Sequence, residues 1–213
     1  MTNNTLIFLH IPKTAGSTFH DFLNRLYPRD QILNVNGGSF KSESIRNFIN
    51  TDISLKHNIK LLKGHMPFGL HDYLPGDARY ITFLRDPVKR VVSAFNYIKA
   101  NPKNPRYELV KKYQFSISDF IESGYSFGMN NAQVRFLLGG IDNITFGKVT
   151  DDHYEKAINN LQCHFDAIGI TENFLDSIAL FSYKLNWNNL PDIMRGVFDK
   201  CKKVISPGLR SSL

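Results

Sequence analysis

Short apolar segments of strand character alternate with segments whose apolar residues recur at helical spacing, and this alternation leaves few possible architectures. Strands are predicted at residues 5–11, 59–62, 80–84 and 165–170. Helices are predicted at residues 17–26, 87–97, 118–122, 130–138, 152–161 and 171–185. Asp86 is expected to cap the second helix with Pro87 in its first position, and Thr171 is expected to cap the last helix. The pattern predicts an α/β fold, in which a parallel sheet is covered by helices on both faces.

The length and composition of the chain indicate one folded unit. The chain has 213 residues, and no linker-like stretch divides it, so we expect one domain over residues 1–213. With 42% apolar and 21% charged residues, the chain is neither disordered nor collagen-like. It lacks the run of ~20 apolar residues of a membrane span and the pattern of a signal peptide, which predicts a cytoplasmic location. Cys163 and Cys201 match no metal-binding spacing and are expected to be reduced thiols.

Positive charge is concentrated in the middle of the chain. The formal net charge is +7 at pH 7. The segment 85–112 sets eight basic residues against two acidic ones, namely Arg85, Lys89, Arg90, Lys99, Lys103, Arg106, Lys111 and Lys112 against Asp86 and Glu108. Such a surface suits nucleic acid, an acidic polysaccharide, an anionic membrane or a small polyanionic ligand, or it is a solvated face with no partner. Charge alone does not choose among these.

An anion-binding turn is predicted between the first strand and the first helix, where the sequence reads Pro12-Lys13-Thr14-Ala15-Gly16-Ser17-Thr18. Unpaired backbone N–H groups and the helix dipole attract a phosphate to such a turn. We expect Gly16 to let the backbone approach the ligand, and Lys13 to add a positive charge. The order of residues is not that of a Walker A loop, in which the lysine follows the glycines. An ordinary strand-to-helix turn is the alternative.

A second anion site is predicted where the strand 80–84 ends. Arg85 follows this strand, and Ser93 lies two helical turns into the next helix. A guanidinium offers a planar fork of donors that suits a phosphate, and a serine hydroxyl can complete the shell. A salt bridge at the strand end, for example with Asp86, is the alternative for Arg85. The buried face of this helix is expected to consist of Val88, Val91, Val92 and Phe95.

Together these segments resemble those of the sulfotransferases that use 3′-phosphoadenosine 5′-phosphosulfate (PAPS), in particular the carbohydrate-type branch that includes the heparan sulfate 2-O-sulfotransferases. The loop 12–18 is similar to the family's 5′-phosphosulfate loop, and Arg85-Asp86-Pro87 with Ser93 is similar to its 3′-phosphate motif. The segment 167–174 is similar to a third family segment, a late strand that leads into a helix. The resemblance implies a three-layer domain related to the P-loop nucleotide kinases, with PAPS as the sulfuryl donor. No metal is expected, because the sequence places no acidic cluster to hold one.

The resemblance also implies roles for single residues. Lys13 would contact the bridging oxygen and the sulfonate of the donor. Arg85 and Ser93 would bind its 3′-phosphate. The 5′-phosphate would be bound by the rest of the loop, Thr14, Ala15, Gly16, Ser17 and Thr18.

His65 is the candidate general base. Transfer of a sulfuryl group to an alcohol requires removal of the hydroxyl proton, and a histidine with a pKa near neutral suits that task. In the resembling sulfotransferases the base is a histidine that follows a glycine, as His65 follows Gly64. Some relatives have a second histidine two positions earlier, where this chain has Lys63. A structural histidine is the alternative, and His10 is expected to serve as a strand-end or loop-positioning residue.

We therefore predict a PAPS-dependent sulfotransferase that acts on the hydroxyl of a carbohydrate acceptor, and the basic character favours an acidic glycan. Gln133 or Arg135 lies in a segment similar to the family's acceptor groove and is a candidate to face the acceptor, a core helix being the alternative. A P-loop kinase or NTPase and a basic nucleic-acid-binding module remain as alternative functions. The resembling enzymes end with a basic loop and a tyrosine-containing helix. The segment 185–213, with Lys200, Lys202, Lys203 and Arg210, is predicted to be diverged or truncated.

Overall fold

The structure, a computed structural model, describes residues 4–187. In this part of the chain five parallel strands form one sheet in the spatial order β2-β3-β1-β4-β5. The strands are β1 (Thr5–Leu9), β2 (Ile32–Asn34), β3 (Leu61–Gly64), β4 (Ala78–Leu84) and β5 (Phe165–Ile170). The helices are α1 (Gly16–Leu26), α2 (Glu43–Asn50), α3 (Pro87–Ala100), α4 (Tyr107–Tyr113), α5 (Ile117–Glu122), α6 (Ala132–Leu137), α7 (Asp151–His164) and α8 (Phe174–Lys184).

Helices cover both faces of the sheet, because side chains of the strands alternate between two cores. On one face Leu6 and Phe8 of β1 pack with apolar residues of α1 and α8. On the other face Ile7 and Leu9 pack with apolar residues of α2, α6 and α7. These three layers confirm the predicted fold class.

A third and smaller core lies among the helices that follow β4. Its buried residues are Phe95 and Ile98 of α3, Val110 of α4, Phe120 of α5 and Met129. None of these five belongs to the two cores of the sheet. The helices α3, α4 and α5 therefore form a packed group of their own beside the sheet.

The start of α3 is as predicted. The Asp86 carboxylate accepts a hydrogen bond from the Lys89 backbone N–H at 2.8 Å, and Pro87 occupies the first turn. The predicted buried face of α3 is partly wrong, because Val88 is 70% and Val92 41% exposed. Val88 and Val92 instead line open cavities beside the first two turns of this helix.

Other boundaries differ from the predictions. The first strand ends at Leu9, and Ile11 is buried in the loop that follows. Thr171 does not cap α8: it lies in a short 3₁₀ turn, and its hydroxyl donates to the carbonyl oxygen of Leu84 at 3.0 Å. The elements β2, α2 and α4 were not predicted.

Within residues 4–187, no helix combines the length and hydrophobicity that crossing a bilayer requires. The cytoplasmic location and the single domain over 1–213 stay predictions. The segment 188–213, with Cys201 and the four basic residues named for it, lies outside the described residues.

Candidate active site

Three of the predicted segments meet at one edge of the sheet. Strand β1 lies between β3 and β4, and Leu9 is in register with Gly64 on one side and with Thr82 on the other. The chain turns to β2 and β3 on one side of β1 and to β4 and β5 on the other, and such a switch point opens a crevice at the carboxyl ends of the strands. The loops that begin with His10, His65 and Arg85 leave the sheet at this edge.

The loop between β1 and α1 has the features of an anion site. Lys13 and Ala15 have left-handed backbone conformations, with φ of 74° and 61°. Ala15 precedes α1 without any side-chain cap, and the first turn carries no acidic residue. The first four N–H groups of an α-helix have no partner within the helix, so this end of α1 is available to a negatively charged group.

The residues of this loop divide into internal and outward-facing ones. Thr14 is fully buried, and its hydroxyl donates to the Ile11 carbonyl oxygen at 2.8 Å, so this side chain shapes the loop. Ser17 and Thr18 are exposed in the first turn of α1. The loop can thus offer a ligand the backbone of Thr14 and the hydroxyls of Ser17 and Thr18.

Gly16 is required for a reason that the sequence did not reveal. A Cβ atom at this position would lie 1.8 Å from Nε2 of His10. The space beside the backbone of Gly16 is therefore filled by the His10 ring, and an added methyl group could not fit unless the ring moved. The approach of a ligand to the backbone of Gly16 stays a prediction, and the structure adds this contact within the protein.

Arg85 is fixed by three neighbours. One guanidinium nitrogen donates to the Lys13 carbonyl oxygen at 3.1 Å, which joins the two predicted anion sites. Its Nε atom lies 3.6 Å from a carboxylate oxygen of Glu172, so the salt bridge forms with this residue and not with Asp86. The side-chain amide of Gln133 accepts from the Arg85 backbone N–H at 2.8 Å and donates to its carbonyl oxygen at 2.9 Å.

Arg85 and Ser93 line the same cavity, which has a volume of about 390 Å³. The remaining wall is formed by Val88, Lys89, Val92 and Asn96. The cavity is open, basic and bounded by the exposed side of α3. The structure thus brings together the two residues that the sequence paired.

Lys13 lies beside this cavity, and its ammonium group lies over an aromatic ring of α3. Its ammonium group is 4.3 Å from the centre of the Tyr97 ring, which fixes the side chain through a cation–π contact. Burial lowers the pKa of Lys13, and the nearby positive charge of Arg85 lowers it further. A negatively charged ligand between the two cations would relieve this repulsion.

His65 is anchored through its ring and its backbone. Its Nδ1 atom lies 2.9 Å from the His10 carbonyl oxygen, so Nδ1 carries the proton and Nε2 keeps a free lone pair. Its carbonyl oxygen accepts from the N–H groups of Gly37 and Gly38 at 2.9 and 3.0 Å. Burial lowers the pKa of His65, although the bond to the His10 carbonyl acts in the opposite direction. The ring is therefore a neutral proton acceptor at neutral pH.

Gly64, which precedes this histidine, is needed for the turn. Its φ is +140°, and a Cβ atom there would lie 1.9 Å from the Val35 carbonyl oxygen. The close approach of the chain after β2 requires a residue without a side chain here.

Two basic residues singled out in the sequence do not face the site. Lys63 is buried, and its ammonium group donates to Asn24 at 2.7 Å and to the His20 carbonyl oxygen at 3.3 Å, which ties β3 to α1. Arg135 is fully buried and donates to carbonyl oxygens of the loops around α6, those of Asn130, Ile141, Ile144 and Thr145. Arg135 is therefore no acceptor contact, and both amide atoms of Gln133 are already bonded to Arg85.

Sequence reasoning missed Tyr97 and Glu172 as parts of the site. Tyr97 lies one helical turn beyond Ser93, and a search for residues at i+4 on the face of α3 would have found it. Glu172 lies in the segment 167–174 noted for its resemblance, but its pairing with Arg85 depends on the neighbouring positions of β4 and β5. Among residues 4–187, no cluster of His, Cys, Asp or Glu is arranged to bind a metal ion.

Comparisons with known proteins agree with this geometry. A family model described as "Sulfotransferase family" matches residues 2–199. The chain is 33% identical over 95 residues to a protein-tyrosine sulfotransferase of Arabidopsis thaliana, covering 43% of this chain and 17% of that protein. It is 23% identical over 208 residues to galactose-3-O-sulfotransferase 2 of Mus musculus, covering 89% of this chain and 51% of that protein. The chain thus spans about half the length, or less, of these curated relatives.

Two solved structures share the fold. A mouse sulfotransferase, SULT7A1, complexed with PAP matches with a TM-score of 0.50 at 12% identity, over 94% of this chain and 65% of that one. A sulfotransferase from Alicyclobacillus acidocaldarius matches with a TM-score of 0.52 at 11% identity, over 97% of both chains. At such low identity these matches speak for the fold alone, and they support the fold class predicted from the sequence.

Proposed function

Because the chain belongs to the sulfotransferase family, as the resemblance predicted, we propose that it transfers the sulfuryl group of PAPS to a hydroxyl group of an acceptor. Neither the kinase nor the nucleic-acid-binding alternative is needed to account for this membership. The observation that carries the proposal is the pair of anion sites at one sheet edge, joined by the hydrogen bond from Arg85 to the Lys13 carbonyl oxygen.

The residues present fit a donor with phosphate groups at two positions. The uncapped end of α1 suits the 5′-phosphosulfate, since it offers backbone N–H groups without helical partners and the exposed hydroxyls of Ser17 and Thr18, and Lys13 lies in the loop before it. The cavity of Arg85 and Ser93 suits the 3′-phosphate, because a guanidinium and a hydroxyl line it and Lys89 adds charge. None of the described residues that line this cavity is acidic.

His65 acts as the base in this proposal. PAPS supplies a sulfuryl group, which passes from an oxygen of the 5′-phosphate to the acceptor oxygen as the hydroxyl proton moves to Nε2 of His65. Lys13 and the N–H groups at the start of α1 stabilise the negative charge that the 5′-phosphate acquires. The roles follow the logic of phosphoryl transfer, in which positioning and electrostatics supply the catalysis.

A carbohydrate is the acceptor we propose. Galactose-3-O-sulfotransferase 2 of mouse is similar over 89% of this chain, whereas the protein-tyrosine sulfotransferase is similar over 43%. The positive net charge favours an acidic glycan among carbohydrates.

Binding of 3′-phosphoadenosine 5′-phosphate tests the donor site without an acceptor. With EDTA present, this nucleotide at a hundredfold excess over its Kd should raise the free energy of unfolding by roughly 2.7 kcal/mol and shift the melting temperature upward. A shift with ATP and Mg²⁺ alone would contradict the proposal and favour a kinase.

Radiolabelled PAPS then tests the acceptor. The label should pass to a neutral or acidic oligosaccharide and not to a tyrosine-containing peptide. Labelling of the peptide alone would keep the reaction and reject the acceptor class.

A further inference from the structure

Three histidine rings lie in contact at the edge of the sheet, and the proposed reaction uses only one of them. The ring of His10 stacks on the ring of His65, with 4.2 Å between their centres and 30° between their planes. Its Nδ1 atom lies 3.0 Å from Nε2 of His20 on α1. Only 7% of His10 is exposed. Burial of a polar ring is costly unless its contacts compensate, so the position of His10 calls for a cause.

The edge of the His10 ring that carries Nε2 contacts the donor loop, which is the loop 12–18 proposed to bind the 5′-phosphosulfate. A Cβ atom at Gly16 would lie within 2.2 Å of three atoms of this ring, Nε2, Cε1 and Cδ2. Gly16 is the first residue of α1, and its N–H belongs to the group that has no partner within the helix. One ring therefore lies between the candidate base and the first turn of the helix that would bind the donor, and it touches both.

The ring of His10 has little freedom to move. His20 contacts it from α1, and the carbonyl oxygen of His20 accepts a hydrogen bond from Lys63 of β3 at 3.3 Å. Phe8 stacks near it on the sheet side, with 5.6 Å between ring centres. The position of the ring is thus set by β1, β3 and α1 together.

We propose that His10 is a positioning residue, whose ring keeps the base His65 at a fixed distance from the first turn of α1 and keeps water from one face of the base. The inference rests on the proposed function for the role of His65 as base. His10 also has a second contact with His65: its backbone carbonyl oxygen accepts a hydrogen bond from Nδ1 of His65 and so orients the free Nε2.

The charges around the cluster suit this role. The groups that face it are Lys13 of the loop, Lys63 of β3 and Asp21 of α1. Burial, together with His65, His20 and Lys13, lowers the pKa of His10 to about 2, and burial with Lys63 lowers the pKa of His20 to about 4. His10 is therefore neutral near pH 7 and covers its neighbour without adding a charge.

The first test measures the pKa of His65 directly, by an NMR titration of its ring. In His10→Ala the ring that covers one face is gone, water reaches His65, and its pKa should rise toward the ordinary histidine value. In His10→Phe a ring still covers that face, and the pKa should stay low. His57→Ala, at an exposed histidine that precedes β3 whereas His65 follows it, is the matched control and should change nothing. An unchanged pKa in His10→Ala would overturn the proposal.

The second test asks whether the ring couples to the donor loop. Gly16→Ala should weaken binding of 3′-phosphoadenosine 5′-phosphate by about tenfold or more in the natural background, because the new methyl group collides with the ring. In the His10→Ala background the same change should weaken binding by less than about threefold. If Gly16→Ala alone does not fold, recovery of folding in the double variant reports the same coupling. Equal losses in both backgrounds would overturn the proposal.

Neither test needs sulfuryl transfer. If no acceptor were ever labelled, the proposed function would fail while both results on His10 could still be obtained. If transfer were found and both tests failed, the proposed function would stand and His10 would be a core residue only.

Discussion

The Nδ1 atom of His65 donates its proton to the carbonyl oxygen of His10, and this one bond determines which ring nitrogen is left to accept another proton. Burial then keeps the ring neutral to a lower pH than an ordinary histidine. A histidine ring with one free nitrogen and a lowered pKa is unprotonated near pH 7, so that nitrogen can accept a proton. The alternative of a purely structural histidine accounts for the Nδ1 bond but assigns no task to Nε2.

Replacement of His65 by alanine should therefore reduce turnover and spare donor binding. We expect kcat to fall by about 10²–10⁴, as the loss of a general base does, with an almost unchanged Kd for 3′-phosphoadenosine 5′-phosphate. Steady-state rates measure the fall in kcat, and calorimetric titration measures the Kd. The pH at which kcat/KM declines on the acid side should lie below the ordinary pKa of histidine, since the protonated ring is inactive and burial lowers its pKa. Turnover at the natural level in His65→Ala would remove the residue from the mechanism.

Ser93 is a cleaner probe of the proposed 3′-phosphate site than Arg85. Arg85 also donates to the Lys13 carbonyl oxygen, so its removal disturbs the 5′ loop as well. A hydrogen bond to a charged group contributes roughly 1.5–3 kcal/mol, which is about tenfold or more in affinity. Ser93→Ala should thus weaken 3′-phosphoadenosine 5′-phosphate about tenfold and leave adenosine 5′-phosphate unaffected.

Arg85→Ala should lower the affinity for both nucleotides, and it should lower the affinity for the 3′-phosphorylated one more. This double cycle separates the contact from the general field of the cation. If Ser93→Ala weakened both nucleotides equally, the 3′-phosphate would not bind in this cavity.

At the scale of elements, α3 carries much of the proposed donor site. Ser93 lines the cavity and Tyr97 contacts Lys13, and both depend on the direction in which α3 leaves the sheet. That direction is set at its first turn, where the Asp86 side chain caps the helix.

The cap can be tested apart from its charge. Asp86→Ala removes both the cap and the carboxylate, whereas Asp86→Asn removes the charge and keeps a good cap. Asp86→Ala should be less stable than Asp86→Asn by about 1 kcal/mol in denaturant unfolding, and it should bind 3′-phosphoadenosine 5′-phosphate more weakly.

Ser116→Ala is the matched control, because Ser116 caps α5 away from the cavity. It should lower stability by a similar amount, about 1 kcal/mol, without any effect on nucleotide affinity. Equal affinity in Asp86→Ala and Asp86→Asn would show that the cap does not position the site.

The elements that the sequence predicts well are those whose signals are local. Asp86 and Pro87 mark a helix start by themselves, and the alternation of β1 between two cores follows from its apolar run. Strand β2 was missed because three residues, Ile32–Asn34, are too few to show a period. Thr171 has the right chemistry for a cap, but β4 lies close enough to take its hydroxyl.

For the candidate active site, too, the local signals were predictable from the sequence and the long-range contacts were not. The motifs located Lys13, His65 and Arg85, because each follows a strand. The partners that fix them lie far apart in sequence, as Gln133 does from Arg85 and His10 from His65. Val88 and Val92 were assigned to the core because hydrophobicity was their only signal, and the open side of α3 cannot be read from a helical pattern.

For the whole molecule, the histidine cluster makes stability depend on pH. His10 has a pKa of about 2 in the folded state and an ordinary value near 6.5 when unfolded, so the unfolded chain binds more protons between these values. Stability is therefore lost as the pH falls below about 6.5. His20 shifts in the same direction and adds to the effect.

Between about pH 6.5 and pH 4.5, His10 alone should cost about 2 kcal/mol of unfolding free energy. Urea unfolding of the natural chain and of His10→Phe at both pH values measures this, since phenylalanine has no proton to bind. The variant should show a smaller decline. Parallel declines would mean that His10 does not titrate between the two states.

The separate core of α3, α4 and α5 has a consequence for how the molecule opens. A group of elements with its own core can unfold as a cooperative unit while the rest stays folded, and its amides then exchange with solvent earlier than those of the main core. Residues on α3 belong to this unit, whereas the loop before α1 and the turn at His65 belong to the sheet. A local opening of this unit would remove Ser93 and Tyr97 from the proposed donor site, and it would release the 3′ end of a bound nucleotide while His65 stays in place at the edge of the sheet.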